Sequence, residues 1–179
     1  MINQATRLSG AEQTALVLLR SLIGWHFLYE GYSKLLQPAW SRAGAPLEPF
    51  SAGGYLRNAN GPLADAFHVL ADSTWLPSLD VAVALALLIA GLFLILGLFT
   101  QTGCVVAFVL LLIFYASAIP LTGAPEPRAE GTYLIVNKNL IEAAAVLVLF
   151  VFRTGRLAGL DRLWYRDAHV SVIANEAAA

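Results

Sequence analysis

Four apolar runs dominate the chain, each separated from the next by a polar or Gly/Pro-containing segment. The first, residues 15–36, reads ALVLLRSLIGWHFLYEGYSKLL. Its spacing predicts a helix over 14–36, closed by Gln37-Pro38 because proline and the residue before it resist helix continuation. Two continuous Ala/Leu/Ile/Val stretches predict helices over 79–99 and 103–119, with a tight turn at Thr100-Gln101-Thr102 and a stop at Pro120. A fourth helix is expected over 132–152, polar in its first half and entirely apolar from 143 onward. Each run approaches the ~20 residues needed to cross a hydrocarbon core.

The connection 37–78 is rich in turn formers (Gly44, Pro46, Pro49, Gly53, Gly54, Gly61, Pro62), but PLADAFHVLAD at 62–72 fits a short helix with Pro62 in its first turn. The second connection, 121–131, is another Pro/Gly loop with Glu126, Arg128 and Glu130. These elements predict an all-α, integral membrane four-helix bundle in a single domain over 1–179, with a short capping helix in the long outer loop and a tail over 153–179.

Composition supports that class. Of 179 residues, 58% are hydrophobic and 13% charged, against about 25% charge in soluble domains. The formal net charge of −1 gives no sign of nucleic-acid binding, and no known nucleic-acid motif is present, so no nucleic acid is expected as a partner. Cys104 is the single cysteine, which excludes an internal disulfide or a C-x-x-C redox pair. The first apolar run follows a polar lead, holds four ionisable groups and lacks a small-residue cleavage site, so it reads as a retained membrane helix. Arg153, Arg156, Arg162 and Arg166 follow the last run. By the positive-inside rule they place both termini in the cytoplasm and both Gly/Pro loops outside. Arg42 and Arg57 alone fall in the long loop, and Trp40, Tyr55 and Trp75 suit a membrane interface. GLDRLWYR reads as an amphipathic stretch along the inner interface.

Charge inside the apolar runs is the feature that points to function. An ionisable group within a span costs at least about 2.5–3.5 kcal/mol and faces a partner or a wet cavity. On the first helix these groups are Arg20, about 9 Å past the inner end, and His26, Glu30 and Lys34 toward the outer end. On the fourth, Asn137, Lys138, Asn139 and Glu142 lie at the same outer depth. Glu30–Lys34 and Lys138–Glu142 are both spaced i,i+4, the geometry of a helical ion pair. Two polar walls therefore meet between the first and fourth helices, and Gly24 and Gly31 admit a close neighbour, helix or ligand ring. Mutual neutralisation that fixes helix register is the alternative reading of the same pairs. His26 alone reads as a packed, hydrogen-bonded histidine before a metal ligand. No His/Cys/Asp/Glu spacing suggests a metal site, and no Gly-rich phosphate loop is present.

LLRSLIGWHFLYEGYSKLLQP resembles the first-helix signature of DoxX/DoxD-type membrane proteins. EGTYLIVNKNLIEAAAVLVL with TGRLAGLDRLW resembles their last helix and tail, and GLFTQTG their short inner turn. The matching positions are Arg20, Gly31, Ser33, Lys34, Asn137, Lys138, Asn139, Glu142 and Asp161. The resemblance implies a multi-pass protein of a bacterial or archaeal cytoplasmic membrane, related to the quinone-facing subunit of thiosulfate:quinone oxidoreductase, which works beside a separate small redox partner subunit. It implies quinone as the ligand and no covalent cofactor.

Under that reading Glu30, Lys34, Lys138 and Glu142 form the candidate proton and ligand site. Arg20, His26, Phe27, Gly31, Asn137 and Asn139 form the candidate quinone or polar-ligand pocket, with Trp25 and Tyr29 along the ring. Electrons would come from a partner or a small reductant, since the chain has no redox cofactor site of its own. A non-catalytic scaffold or a small-ligand or lipid-binding component of an envelope complex stays open beside it, as does a homo-oligomer.

Overall fold

The structure is a computed structural model that describes residues 8–36, 50–119, 132–133 and 135–163. The expectations for Pro38, Trp40, Arg42, Pro120, the 121–131 loop, Trp164 and Arg166 lie outside these residues. Among the described residues seven helices run in the order α1 (Gly10–Leu36), α2 (Gly53–Arg57), α3 (Ala64–Ala71), α4 (Leu76–Leu96), α5 (Thr100–Ser117), α6 (Lys138–Val151) and α7 (Thr154–Leu157). An antiparallel pair of two-residue strands, β1 (Thr132–Tyr133) and β2 (Val136–Asn137), precedes α6. The fold is all-α apart from that pair.

α1 begins four residues before the expected boundary because Ser9 and Glu12 form a capping box. The Ser9 N–H donates to Glu12 Oε2 at 2.6 Å, and the Glu12 N–H to Ser9 Oγ at 3.3 Å. α4 ends at Leu96 because Gly97 takes a left-handed conformation, φ 62°. The turn is consequently Gly97–Phe99, and Thr100-Gln101-Thr102, expected as that turn, forms the first turn of α5.

The expected start of the fourth helix at 132 is corrected to Lys138. Asn137 is extended and accepts the Leu140 N–H at 3.1 Å, an N-cap that fixes the boundary. The β-branched and aromatic residues before it pair as strands. The expected single capping helix is two, α2 and α3. They are tied to the long helices by the Ala52 N–H on Asp80 Oδ1 (2.7 Å) and the Asn60 N–H on the Ser117 carbonyl (3.3 Å).

The four long helices pack in a circuit: α1 on α4, α4 on α5, α5 on α6, and α6 back on α1. The α1–α4 seam is backbone against backbone. A methyl group added at Gly31 would lie 2.8 Å from the Ala84 carbonyl oxygen, and one at Gly91 2.8 Å from that of Gly24. Only glycine permits this approach. Ile23, Phe27, Leu87, Leu94, Leu111, Val146 and Leu149 fill the space between the helices.

The outward faces are also apolar, with Leu22, Trp25, Ile89, Val109, Ile141 and Leu147 exposed. Among the described residues, α4 and α5 are long and apolar enough to cross a membrane. α1 has the length but carries Glu12, Arg20, Glu30 and Lys34. α6 has 14 residues, about 21 Å of helix.

Candidate functional site

Two polar sites meet α1 on either side of its midpoint. The one nearer α2 and α3 lies between α1 and α6. His26 Nδ1 on α1 is 2.7 Å from Glu142 Oε1 on α6, joining residues 116 apart in sequence. The His26 side chain is 43% exposed and that of Glu142 15%, so the ring is half open to the surroundings while the carboxylate is mostly covered. One turn farther, Lys34 Nζ donates to Glu30 Oε2 at 2.9 Å and lies 4.4 Å from the Phe50 ring centroid, a cation–π contact. Lys138 is exposed on the first turn of α6, one turn before Glu142. Trp25 and Tyr29 stack with centroids 6.5 Å apart on the exposed face of the same turns of α1.

Five of the expected residues, His26, Glu30, Lys34, Lys138 and Glu142, thus converge, and Asn139 is half-buried beside them on α6. The Glu30–Lys34 pair forms as its spacing predicts. The expected Lys138–Glu142 pair does not form: Glu142 turns across to His26, which reaches it from the facing helix. Phe50, which covers Lys34, had no signal in the sequence because its loop carries no periodicity.

Four other expected pocket residues serve the fold instead. Phe27 is 2% exposed, inside the core. Gly31 faces α4 and not a ligand. Asn137 is buried as the α6 cap, and its amide Nδ2 donates to the Ala118 carbonyl at 3.4 Å. Arg20, 3% exposed, lies six residues before His26 on α1 and points to α7 instead.

Arg20 belongs to the second polar site. Its Nη1 donates to the Thr154 carbonyl at 2.8 Å and its Nη2 to the Ala158 carbonyl at 2.5 Å, pinning the turn around α7. Asp161 completes the knot by accepting the N–H groups of Phe99 (2.7 Å) and Thr100 (3.0 Å), capping α5 from a distant part of the chain. Gly155 leaves room for it, since a methyl group there would collide with Thr100 Oγ1 and Asp161 Oδ2. Every one of these hydrogen bonds joins a charged side chain to the backbone.

The first site joins side chain to side chain at a half-exposed surface, and its lysines and imidazole can offer hydrogen-bond donors to a ligand. The second is buried and engaged with the main chain. Among the described residues no three His, Cys, Asp or Glu side chains gather as metal ligands. The chain matches no protein-family model, no curated protein and no solved structure.

Proposed function

We propose that the chain is a DoxX/DoxD-like membrane protein, a four-helix bundle that binds quinone at the His26–Glu142 cluster as the membrane subunit of a redox complex. The observation that carries this reading is the 2.7 Å His26–Glu142 pair between α1 and α6. It lies beside Lys34, Lys138 and the stacked Trp25–Tyr29 shelf. A quinone supplies two carbonyl acceptors and takes up two electrons and two protons. Lys34 and Lys138 are the donors suited to the carbonyl oxygens. His26, held through Nδ1 by Glu142, is suited to hand over a proton and recover one through the exposed Glu30 side. Trp25 and Tyr29 offer the apolar face for the ring. The electrons come from a partner subunit or a small reductant.

The bilayer part of the reading is supported by the apolar outward faces, which are too extensive for a monomeric protein in water, and by the lengths of α4 and α5. Arg153, Arg156 and Arg162 lie at the Arg20 end, which the positive-inside rule assigns to the cytoplasm with both termini. The His26 end then faces outward, in a bacterial or archaeal cytoplasmic membrane.

A second reading is favoured by one observation: both ion pairs are closed within the protein and one of them braces α1 against α6. A scaffold or lipid-binding component needs no more than that. Reduction of a short-chain ubiquinone by the purified protein, alone and with co-purifying partners, separates the two. Saturable binding with turnover supports the quinone site. If neither binding nor reduction is found, the scaffold reading replaces it.

A further inference from the structure

The Arg20 knot has an outward face that the quinone reading does not use. Arg153, the residue between α6 and α7, is held at φ 47°, ψ 51°. A side chain at that left-handed position is disfavoured where glycine or asparagine would be relaxed. Residues kept in such conformations cluster where the side chain itself is needed. Arg153, Arg156 and Arg162 are all exposed. Exposed Phe99, Phe152 and Leu163 share this end of the molecule with them.

Between 143 and 163 the chain has three arginines and one aspartate. That aspartate, Asp161, is turned inward onto the N–H groups of Phe99 and Thr100. Glu12, on the first turn of α1, is taken by its capping box with Ser9. The platform is also tied down by hydrogen bonds. The Leu160 and Asp161 N–H groups donate to the Leu96 and Gly97 carbonyls, and Arg20 holds the carbonyls of Thr154 and Ala158. A fixed cationic face beside exposed apolar residues, at the ends of the apolar helices, matches the boundary where lipid phosphates meet acyl chains.

We propose that this face is a docking surface for the phosphate-bearing headgroups of anionic phospholipids. Arg153, Arg156 and Arg162 engage the phosphates, and Phe99, Phe152 and Leu163 sit at the acyl boundary. The inference rests on the membrane part of the reading above and is independent of the quinone site. Each arginine near an anionic surface contributes about a fivefold preference, weakened by salt as screening shortens the electrostatic range.

The test uses the full chain in nanodiscs of phosphatidylcholine alone or mixed with phosphatidylglycerol. The readouts are the thermal midpoint and the lipids retained in native mass spectrometry. Wild type is expected to retain phosphatidylglycerol preferentially and to unfold at a higher temperature in its presence. Replacing all three arginines with glutamine should abolish the preference. Arg153→Gly separates recognition from folding. Glycine relaxes the backbone at that position, so the midpoint in phosphatidylcholine should hold or rise while the preference falls about fivefold. Arg153→Lys should keep the preference. A wild-type chain that enters both bilayers with the same midpoint and the same retained lipids overturns the proposal and leaves the membrane reading intact. A chain that enters neither bilayer overturns both.

Discussion

Arg20 and His26 lie six residues apart on one helix, and each ties α1 to the far end of the chain, yet the two ties differ in kind. Arg20 is buried and binds main-chain carbonyls of Thr154 and Ala158. His26 is half exposed and binds a side-chain carboxylate, on the same stretch of α1 as the Glu30–Lys34 pair and the stacked Trp25 and Tyr29 rings. A charge whose donors end on the backbone holds the chain in place, because moving the side chain gives up hydrogen bonds to main-chain carbonyls of a distant turn. A charge that meets another side chain at a surface leaves both groups able to change partner or proton. The comparison suggests a general criterion for charged residues in apolar helices: the nature of the partner, more than the depth, separates fastening from chemistry.

The sharpest way to break the contrast is at Arg20. Arg20→Met keeps much of the volume and removes both charge-assisted hydrogen bonds that tie α1 to the turn around α7. A loss of about 3–5 kcal/mol is expected, as for removing one partner from a buried charged network. Reversible unfolding in mild detergent measures it, and a loss below about 1 kcal/mol would remove the structural role argued for this residue.

Asp161→Asn comes next, at about 1–2 kcal/mol. The amide oxygen can still accept one N–H of the α5 cap, while its NH2 group faces the other. Glu142→Gln should be milder, within about 1 kcal/mol, because the pair is partly solvated. The same thermal melts compare all three. A Glu142→Gln loss as large as that of Arg20→Met would make the His26 pair a structural fastening too. Smallest of all is Arg57→Gln. The Arg57–Asp72 pair at 3.2 Å is exposed on both sides, and an effect of roughly 0–0.5 kcal/mol is expected.

How far the sequence foretells this arrangement varies by element. α4 and α5 are legible because hydropathy alone defines a long apolar helix, and Glu30–Lys34 because i,i+4 spacing is local. The start of α6 was hidden because Asn137 acts as a cap, and the preceding residues pair as strands, two local preferences that an apolar run does not reveal. The Ser9–Glu12 capping box is written as S-x-x-E but lies before the apolar run, where hydropathy alone does not carry the helix. The fastening role of Arg20 is not legible, because its partners are main-chain carbonyls 134 and 138 residues away. The same distance concealed His26–Glu142: both residues were identified, but each had a nearer candidate partner on its own helix. Topology brought the two walls to the same depth, and side-chain direction then decided the pairing.

The central claim, that the His26–Glu142 cluster receives a ligand while the Arg20 knot holds the fold, is tested most directly by one binding measurement. The full chain in nanodiscs is titrated with a short-chain ubiquinone, comparing wild type with His26→Ala at matched thermal midpoints. Saturable binding to wild type that weakens about tenfold or more in His26→Ala is expected, the scale of losing one charge-assisted hydrogen bond. Equal affinity of the two proteins, or no saturable binding to wild type, would contradict the claim.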